Sequence, residues 1–304
     1  MTVIEPVLML FLVIGLGFVF DKSGLLDKSV RTGLTSFVMN LGMPMFILHN
    51  MNFSFDRQML FNSLQLLAFT FGAYLVLMSL SLLFARRSKM DHDELPAYQF
   101  GMTFSNCGFM GYPVIASLFG AEAVFYATIF NIGFEVFLWT YGVSVFKRGH
   151  TVRVSDFFTP NLVALAVGLV MFLLDLSFPP VIERSIELVG RTATPLSMII
   201  IGVMLAEFEF RDFKASFRPY VMAGYRLVVI PAVTLGIAYL LGFRGLTLAV
   251  PVMILAMPVA ANGAMLASYF GKNYLEATRL VIVSTILSLL TTPFWASLLM
   301  RLGN

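Results

Sequence analysis

The sequence predicts an all-α polytopic membrane protein of about ten transmembrane helices arranged as two inverted five-helix repeats. Three observations predict it. Apolar runs of about 20 residues recur from end to end. Only 12% of the residues are charged. Residues also fall into register when the chain is shifted by 151 positions, close to half of its 304.

Composition alone excludes an ordinary globular protein, because 59% of the chain is hydrophobic and an average soluble domain is roughly a quarter charged. Runs of about 20 apolar residues cross a hydrocarbon core of about 30 Å as helices, whereas the strands of an outer-membrane barrel would alternate over about ten. The net charge of +3 comes from basic residues scattered in short groups between apolar spans, so no nucleic-acid surface is expected. Cys107 is the only cysteine, which leaves no intrachain disulfide and no multi-cysteine metal site.

The apolar runs give spans at 3–20, 31–50, 59–85, 97–118, 122–146, 160–177, 181–206, 219–242, 246–270 and 275–300. The first carries Glu5 at its start and lacks a positive n-region and a small-residue cleavage site, so it reads as an uncleaved helix. Cytoplasmic loops carry the excess of lysine and arginine. Thirteen of the 20 basic residues fall in the odd-numbered loops: Lys22, Lys28, Arg31, Arg86, Arg87, Lys89, Lys147, Arg148, Arg153, Arg211, Lys214, Arg218 and Lys272. Arg57, Arg184, Arg244 and Arg301 fall on the other side, which places both termini outside the cytoplasm of a multi-pass protein of the cell membrane, the inner membrane in a bacterium.

The offset of 151 brings Ser117-Leu-Phe-Gly120 onto Ser268-Tyr-Phe-Gly271, Pro44 onto Pro195 and Gly17 onto Gly168. The repeats are therefore 1–150 and 151–304, together one membrane domain. With five spans each, an odd number, the second enters the membrane in the opposite sense. Inverted repeats of this kind build many secondary transporters, whose sites lie near the midplane at discontinuous helices.

Two such discontinuities are legible. The fourth span contains Ser105-Asn106-Cys107-Gly108-Phe109-Met110-Gly111-Tyr112-Pro113, where two glycines and a proline make an unbroken helix costly. The ninth reads Met257-Pro258-Val259-Ala260-Ala261-Asn262-Gly263-Ala264, and the offset sets it opposite the fourth. A helix broken at membrane depth leaves backbone groups that must line a cavity or meet a partner, and half-helix N-termini favour anions. Asn106 and Asn262, one in each break, are the leading candidates for substrate contact, with Cys107 and Pro258 beside them; the alternative is a pair of kinks repaired by neighbouring helices.

The string from Asn106 to Pro113, Met257-Pro258 with Tyr269-Phe270-Gly271, and Ser284-Thr-Ile-Leu-Ser-Leu-Leu-Thr-Thr-Pro293 resemble the auxin efflux carrier family over essentially the whole chain. That family includes plant auxin exporters and bacterial carriers associated with malate and malonate. The resemblance implies a fold like that of sodium/bile acid symporters, with the fourth and ninth helices crossing at their breaks and a mobile part moving past a scaffold in an elevator-like way. It also implies carboxylate contact by the asparagine of an Asn-x-x-x-Met-Gly-x-Pro string, here Asn106, Met110, Gly111 and Pro113. The plant motif has proline just before that asparagine, where this chain has Ser105.

Ionisable residues inside spans usually mark a pathway. Glu135 shares a helical face with Thr128 and Asn131, and reads as a proton or ion relay with Asn131 or as a protonated glutamate that ties helices together. Arg191, one turn before Pro195, corresponds to Asn40 before Pro44; it can clamp a carboxylate or pair with Glu187 four residues earlier. Arg279, three residues after Glu276, reads as structural, and Arg226 receives no role.

The chain is thus expected to be a carrier of a small mono- or dicarboxylate, without a cofactor, with proton or sodium coupling open and pairing of two copies open. A sodium-coupled symporter of the bile-acid type is the alternative carrier. An intramembrane enzyme would need a metal cluster, an activated nucleophile or an Asp-rich diphosphate site. His49, His92 and His150 fall at span ends or loops without ligand spacing, and no span holds an Asp-x-x-x-Asp pair.

Overall fold

A run of apolar residues bounded by Glu5 and by Asp21-Lys22 folds as α1, Ile4–Lys22, with the acid in the first turn and the base in the last, as the helix dipole favours. The computed structural model describes residues 4–25, 27–147, 153, 157–206 and 216–303. Asp27 opens α2, Lys28–Phe37, by accepting the N–H groups of Ser29 and Val30 at 2.9 and 3.0 Å. A π-helical turn at Val38–Gly42 leads into α3, Met43–Asn50, followed by α4, Arg57–Arg87, and α5, Leu95–Thr103. A second π turn, Cys107–Gly111, opens α6, Tyr112–Phe137, and a third, Leu138–Gly142, joins it to α7, Val143–Phe146.

The second half runs through α8, Pro160–Leu173, α9, Pro180–Gly190, α10, Ala193–Ala206, α11, Arg218–Gly224, a π turn at Tyr225–Val229, and α12, Ile230–Leu240. It closes with α13, Gly245–Leu255, α14, Asn262–Tyr269, and α15, Tyr274–Gly303. Among the described residues there is no strand, and five helical stretches are long and apolar enough to cross a membrane: Arg57–Arg87, Cys107–Phe146, Pro180–Ala206, Arg218–Leu240 and Tyr274–Leu302. Helix also occupies the other five expected segments, in shorter or more polar-ended pieces. Thus α8 has 14 residues, about 21 Å at 1.5 Å per residue. It stops at Leu173, short of the expected 177, because Asp175 turns left-handed (φ 52°) and the Leu176 N–H returns to the Met171 carbonyl at 2.8 Å.

The registrations at offset 151 land on matching structural features. Gly120, at a kink inside α6, and Gly271, just past the end of α14, both have positive φ, 77° and 65°, which glycine adopts at little cost, so each Ser-x-Phe-Gly string interrupts its helix. Pro44 and Pro195 lie in the first turns of α3 and α10. Gly17 faces α10, where a side chain would overlap the Ile199 carbonyl, and Gly168 faces the end of α3, where a Cβ would stand 2.7 Å from Met51 Cβ.

Two compact units emerge. The first comprises Met1–Leu66, Gly108–Ile129 and Ser155–Glu207, the second Leu67–Cys107, Phe130–Val154 and Phe208–Asn304, so each draws on both halves of the sequence. The expected repeat boundary at 150, with Arg148, His150, Arg211 and Lys214, lies outside the described residues. In the first unit α1 packs along α10 with small residues at the contact; a side chain on Gly202 would overlap the Ile14 carbonyl. In the second unit α15 packs against α5, α11, α13 and α14. There Glu276, 4% exposed, accepts from Tyr98 Oη at 2.6 Å and pairs with Arg279 at 3.0 Å, which gives that arginine the structural role expected of it.

Candidate functional site

Helix α5 is buried from Pro96 to Thr103 and ends when Phe104 turns extended (φ −108°, ψ 123°). Helix α13 ends at Leu255, and Pro258, which has no N–H, prevents its resumption. Both chains therefore run through the interior of the second unit with unpaired backbone groups, and they satisfy one another. Ser105 pairs with Val259 in an antiparallel bridge, the Asn106 N–H donates to the Pro258 carbonyl at 2.8 Å, and the Ala260 N–H donates to the Phe104 carbonyl at 3.1 Å. The Val259 N–H goes to Ser284 Oγ on α15 at 3.0 Å. The approach is close: a Cβ on Gly263 would stand 2.6 Å from the Phe100 ring. The two breaks that the sequence predicted thus meet, about 150 residues apart in the chain, through backbone hydrogen bonds.

This accounting matters for the asparagines. Asn106 is 5% exposed and Asn262 half-buried, yet neither side-chain amide makes a hydrogen bond among the described residues. The backbone, not the amides, repairs the breaks. Each amide keeps its donors and its acceptor free to orient a ligand.

Cys107 follows Asn106 directly, and its thiol donates to Asn131 Oδ1 at 2.9 Å. Glu135, one turn further along α6 and 8% exposed, accepts the Trp139 indole N–H at 3.0 Å. Thr128, the third member of the predicted face, commits its hydroxyl to the Val124 carbonyl. Gly111 and Pro113 are buried in the first unit, Gly111 closing the π turn and Pro113 following it in α6, where it donates no backbone hydrogen bond to that turn. Arg191 and Asn40 also belong to the first unit and have local partners: Arg191 is largely exposed and paired with Glu187, and Asn40 donates to Ser36 Oγ at 3.1 Å.

One residue without an expected role lies at the crossing. Arg226, in the π turn between α11 and α12, is 0% exposed. Its Nε donates to the Met257 carbonyl at 3.2 Å and its Nη1 approaches the Met102 carbonyl at 3.5 Å, so one guanidinium spans both breaks. Nη2 is buried without a partner, and no carboxylate pairs with this cation among the described residues. The arginine within an apolar run was a visible signal. Its partners, being backbone carbonyls of two distant segments, have no sequence signature.

The pattern of the membrane transport protein family matches residues 2–156 and 149–296. An uncharacterized transporter of Methanothermobacter thermautotrophicus is 27% identical over 301 residues, 97% of this chain and 98% of the relative. An uncharacterized transporter of Methanocaldococcus jannaschii is 23% identical over 306 residues, 98% of this chain and 99% of the relative.

Proposed function

The chain belongs to the membrane transport protein family, that of the auxin efflux carriers, and on that premise we propose that it is a secondary transporter of a small organic anion, a mono- or dicarboxylate such as malate or malonate. The observation that carries this reading is the pairing of the two helix breaks around Asn106 and Pro258, beside two asparagine amides that the fold leaves uncommitted. Amide N–H groups can donate hydrogen bonds to a carboxylate and orient it. The substrate set proposed in the second unit is Asn106, Cys107, Pro258 and Asn262, while Gly111 and Pro113, in the first unit, are candidates on the family string alone. The exposed, paired Arg191 and the exposed Asn40 stand behind these.

Asn131 and Glu135 are the proposed coupling relay, since the Cys107 thiol connects the break to their helical face. An inverted repeat is supported by the crossed equivalence of Gly17 against α10 and Gly168 against the end of α3. Two units that each cohere internally are what an elevator-like exchange of access requires, and the crossing lies wholly in the second. Purified protein in vesicles, given radiolabelled carboxylates with proton and sodium gradients imposed separately, tests the proposal. Accumulation of at least one of them above equilibrium supports it, and absence of flux for every mono- and dicarboxylate tried overturns it.

A further inference from the structure

Arg226 poses a physical problem that the carrier reading does not address. A guanidinium removed from water requires compensation, and no carboxylate among the described residues supplies it. The compensation comes from backbone. Met102 lies in the last turn of α5, so its carbonyl carries the partial negative charge of a helix C-terminus, and Met257, two residues past the end of α13, offers an unwound backbone carbonyl. Converging C-termini of broken helices are where transporters of inverted-repeat design hold a mobile cation. In this chain a side chain stands there. It stands within the π turn Tyr225–Val229, a local departure from α-helical hydrogen bonding of the kind that recurs at functional sites.

The second feature is Nη2. Planar geometry carries it into the interior with Nε and Nη1, and among the described residues it is buried without a partner, a donor group that calls for an acceptor. It belongs to a guanidinium whose other two nitrogens are fixed on the segments flanking Asn106 and Pro258.

We propose that Arg226 is the resident cation of the crossing: Nε and Nη1 hold the ends of the two broken helices, and Nη2 is presented to the carboxylate of the transported anion, so that the site is charge-balanced without a sodium ion. The second clause rests on the carrier reading given above; the first does not. Arg226 then adds a formal positive charge to a site otherwise built from neutral amides, and a dicarboxylate that keeps one carboxylate for Nη2 and one for the asparagines is the class of ligand it fits.

Two measurements separate the clauses. The first uses no substrate: thermal unfolding of the purified protein in detergent, in choline, sodium and millimolar guanidinium chlorides. The unaltered protein and Arg226→Lys should be indifferent to the cation, whereas Arg226→Ala, with the carbonyl ends vacated, should be stabilised by several degrees in guanidinium. An Arg226→Ala protein no more cation-sensitive than the unaltered one overturns the resident-cation role. The second is malonate binding. Affinity of the unaltered protein should be the same in sodium and in choline, and Arg226→Ala in choline should lose about ten- to a hundredfold, the effect of one charged hydrogen bond, with partial recovery in guanidinium. A sodium requirement in the unaltered protein, or undiminished malonate binding in Arg226→Ala, overturns the proposal. Should Arg226→Ala fail to fold, the sodium comparison on the unaltered protein still decides. If malonate binds in neither salt, the dicarboxylate reading fails while the unfolding experiment still decides the resident cation.

Discussion

The Cys107 thiol donates to Oδ1 of Asn131 at 2.9 Å, and both residues are buried in the second unit. The contact ties the first residue after the fourth-span break to the face of α6 that carries Glu135 one turn further on. On the proposed function, a ligand at Asn106 has a short path through Cys107 and Asn131 to the buried acid. Serine keeps a donor at position 107, so Cys107→Ser preserves the path and supplies a cysteine-free background.

Among the described residues Glu135 has one hydrogen-bond partner, the Trp139 indole, and none of the salt bridges found there includes it. A glutamate that only tied helices together would sit between them with more than an i+4 neighbour for company. If it carries the coupling proton, Glu135→Gln should abolish gradient-driven accumulation in vesicles and leave exchange of labelled for unlabelled substrate intact. Unchanged accumulation in that variant removes Glu135 from the coupling step.

Helices α1 and α10 meet through Gly17 and Gly202, each lying against a backbone carbonyl of the other helix. Backbone cannot turn aside as a side chain can, so Gly17→Ala and Gly202→Ala should each destabilise the protein by about 1–3 kcal/mol through overpacking. Gly15→Ala, on the same helix as Gly17 with open space around it, is the control and should be neutral or slightly stabilising. Thermal midpoints in detergent distinguish the three, and equal midpoints for Gly15→Ala and Gly17→Ala would remove the close contact.

What the sequence showed of this arrangement depended on the range of the physics. Proline and glycine act on their own backbone, so breaks within Ser105–Pro113 and Met257–Ala264 were visible locally, and the offset of 151 located them as a pair. The end of α8 fell four residues short of its apolar run because Asp175 adopts a left-handed conformation that its residue type permits but does not announce. Arg191 drew attention through its place before Pro195, and the structure shows it in the exposed ion pair that its spacing to Glu187 also offered. Arg226 was the reverse case: its charge was visible inside an apolar run, and its role was not, because both partners are carbonyls brought in by the fold.

Topology is testable at positions whose side chains are exposed. In the Cys107→Ser background, a cysteine at Arg57 should react with an impermeant thiol reagent added outside cells, and one at Lys89 should not. Arg244 is a poorer site for this purpose, since its guanidinium caps the Tyr239 and Phe243 carbonyls at 2.9 and 2.7 Å. Reversal of the two reactivities overturns the orientation read from the basic loops.

Asn106 offers the sharpest test of the site, because main chain and side chain there have separate tasks. The main chain holds the crossing: the N–H of residue 106 donates to the Pro258 carbonyl at 2.8 Å, a bond that alanine would make equally well. The side-chain amide contributes no hydrogen bond among the described residues. Asn106→Ala should therefore insert and fold with a thermal midpoint near that of the unaltered protein, and the same holds for Asn262→Ala. What alanine removes is an amide able to meet a carboxylate, and one hydrogen bond to a charged group contributes about 1.5–3 kcal/mol, so substrate binding should weaken by roughly ten- to a hundredfold in Asn106→Ala. Asn262→Ala should act alike where both breaks share one ligand, and more weakly where the first repeat dominates, its half-buried position giving water more access. A double variant whose loss departs from the product of the two single losses would place both amides on one bound anion, since groups that share a ligand are not additive. Folded Asn106→Ala protein that binds its substrate with unaltered affinity would leave the crossing as a structural joint, and the search for the anion would move to Arg191 in the first unit.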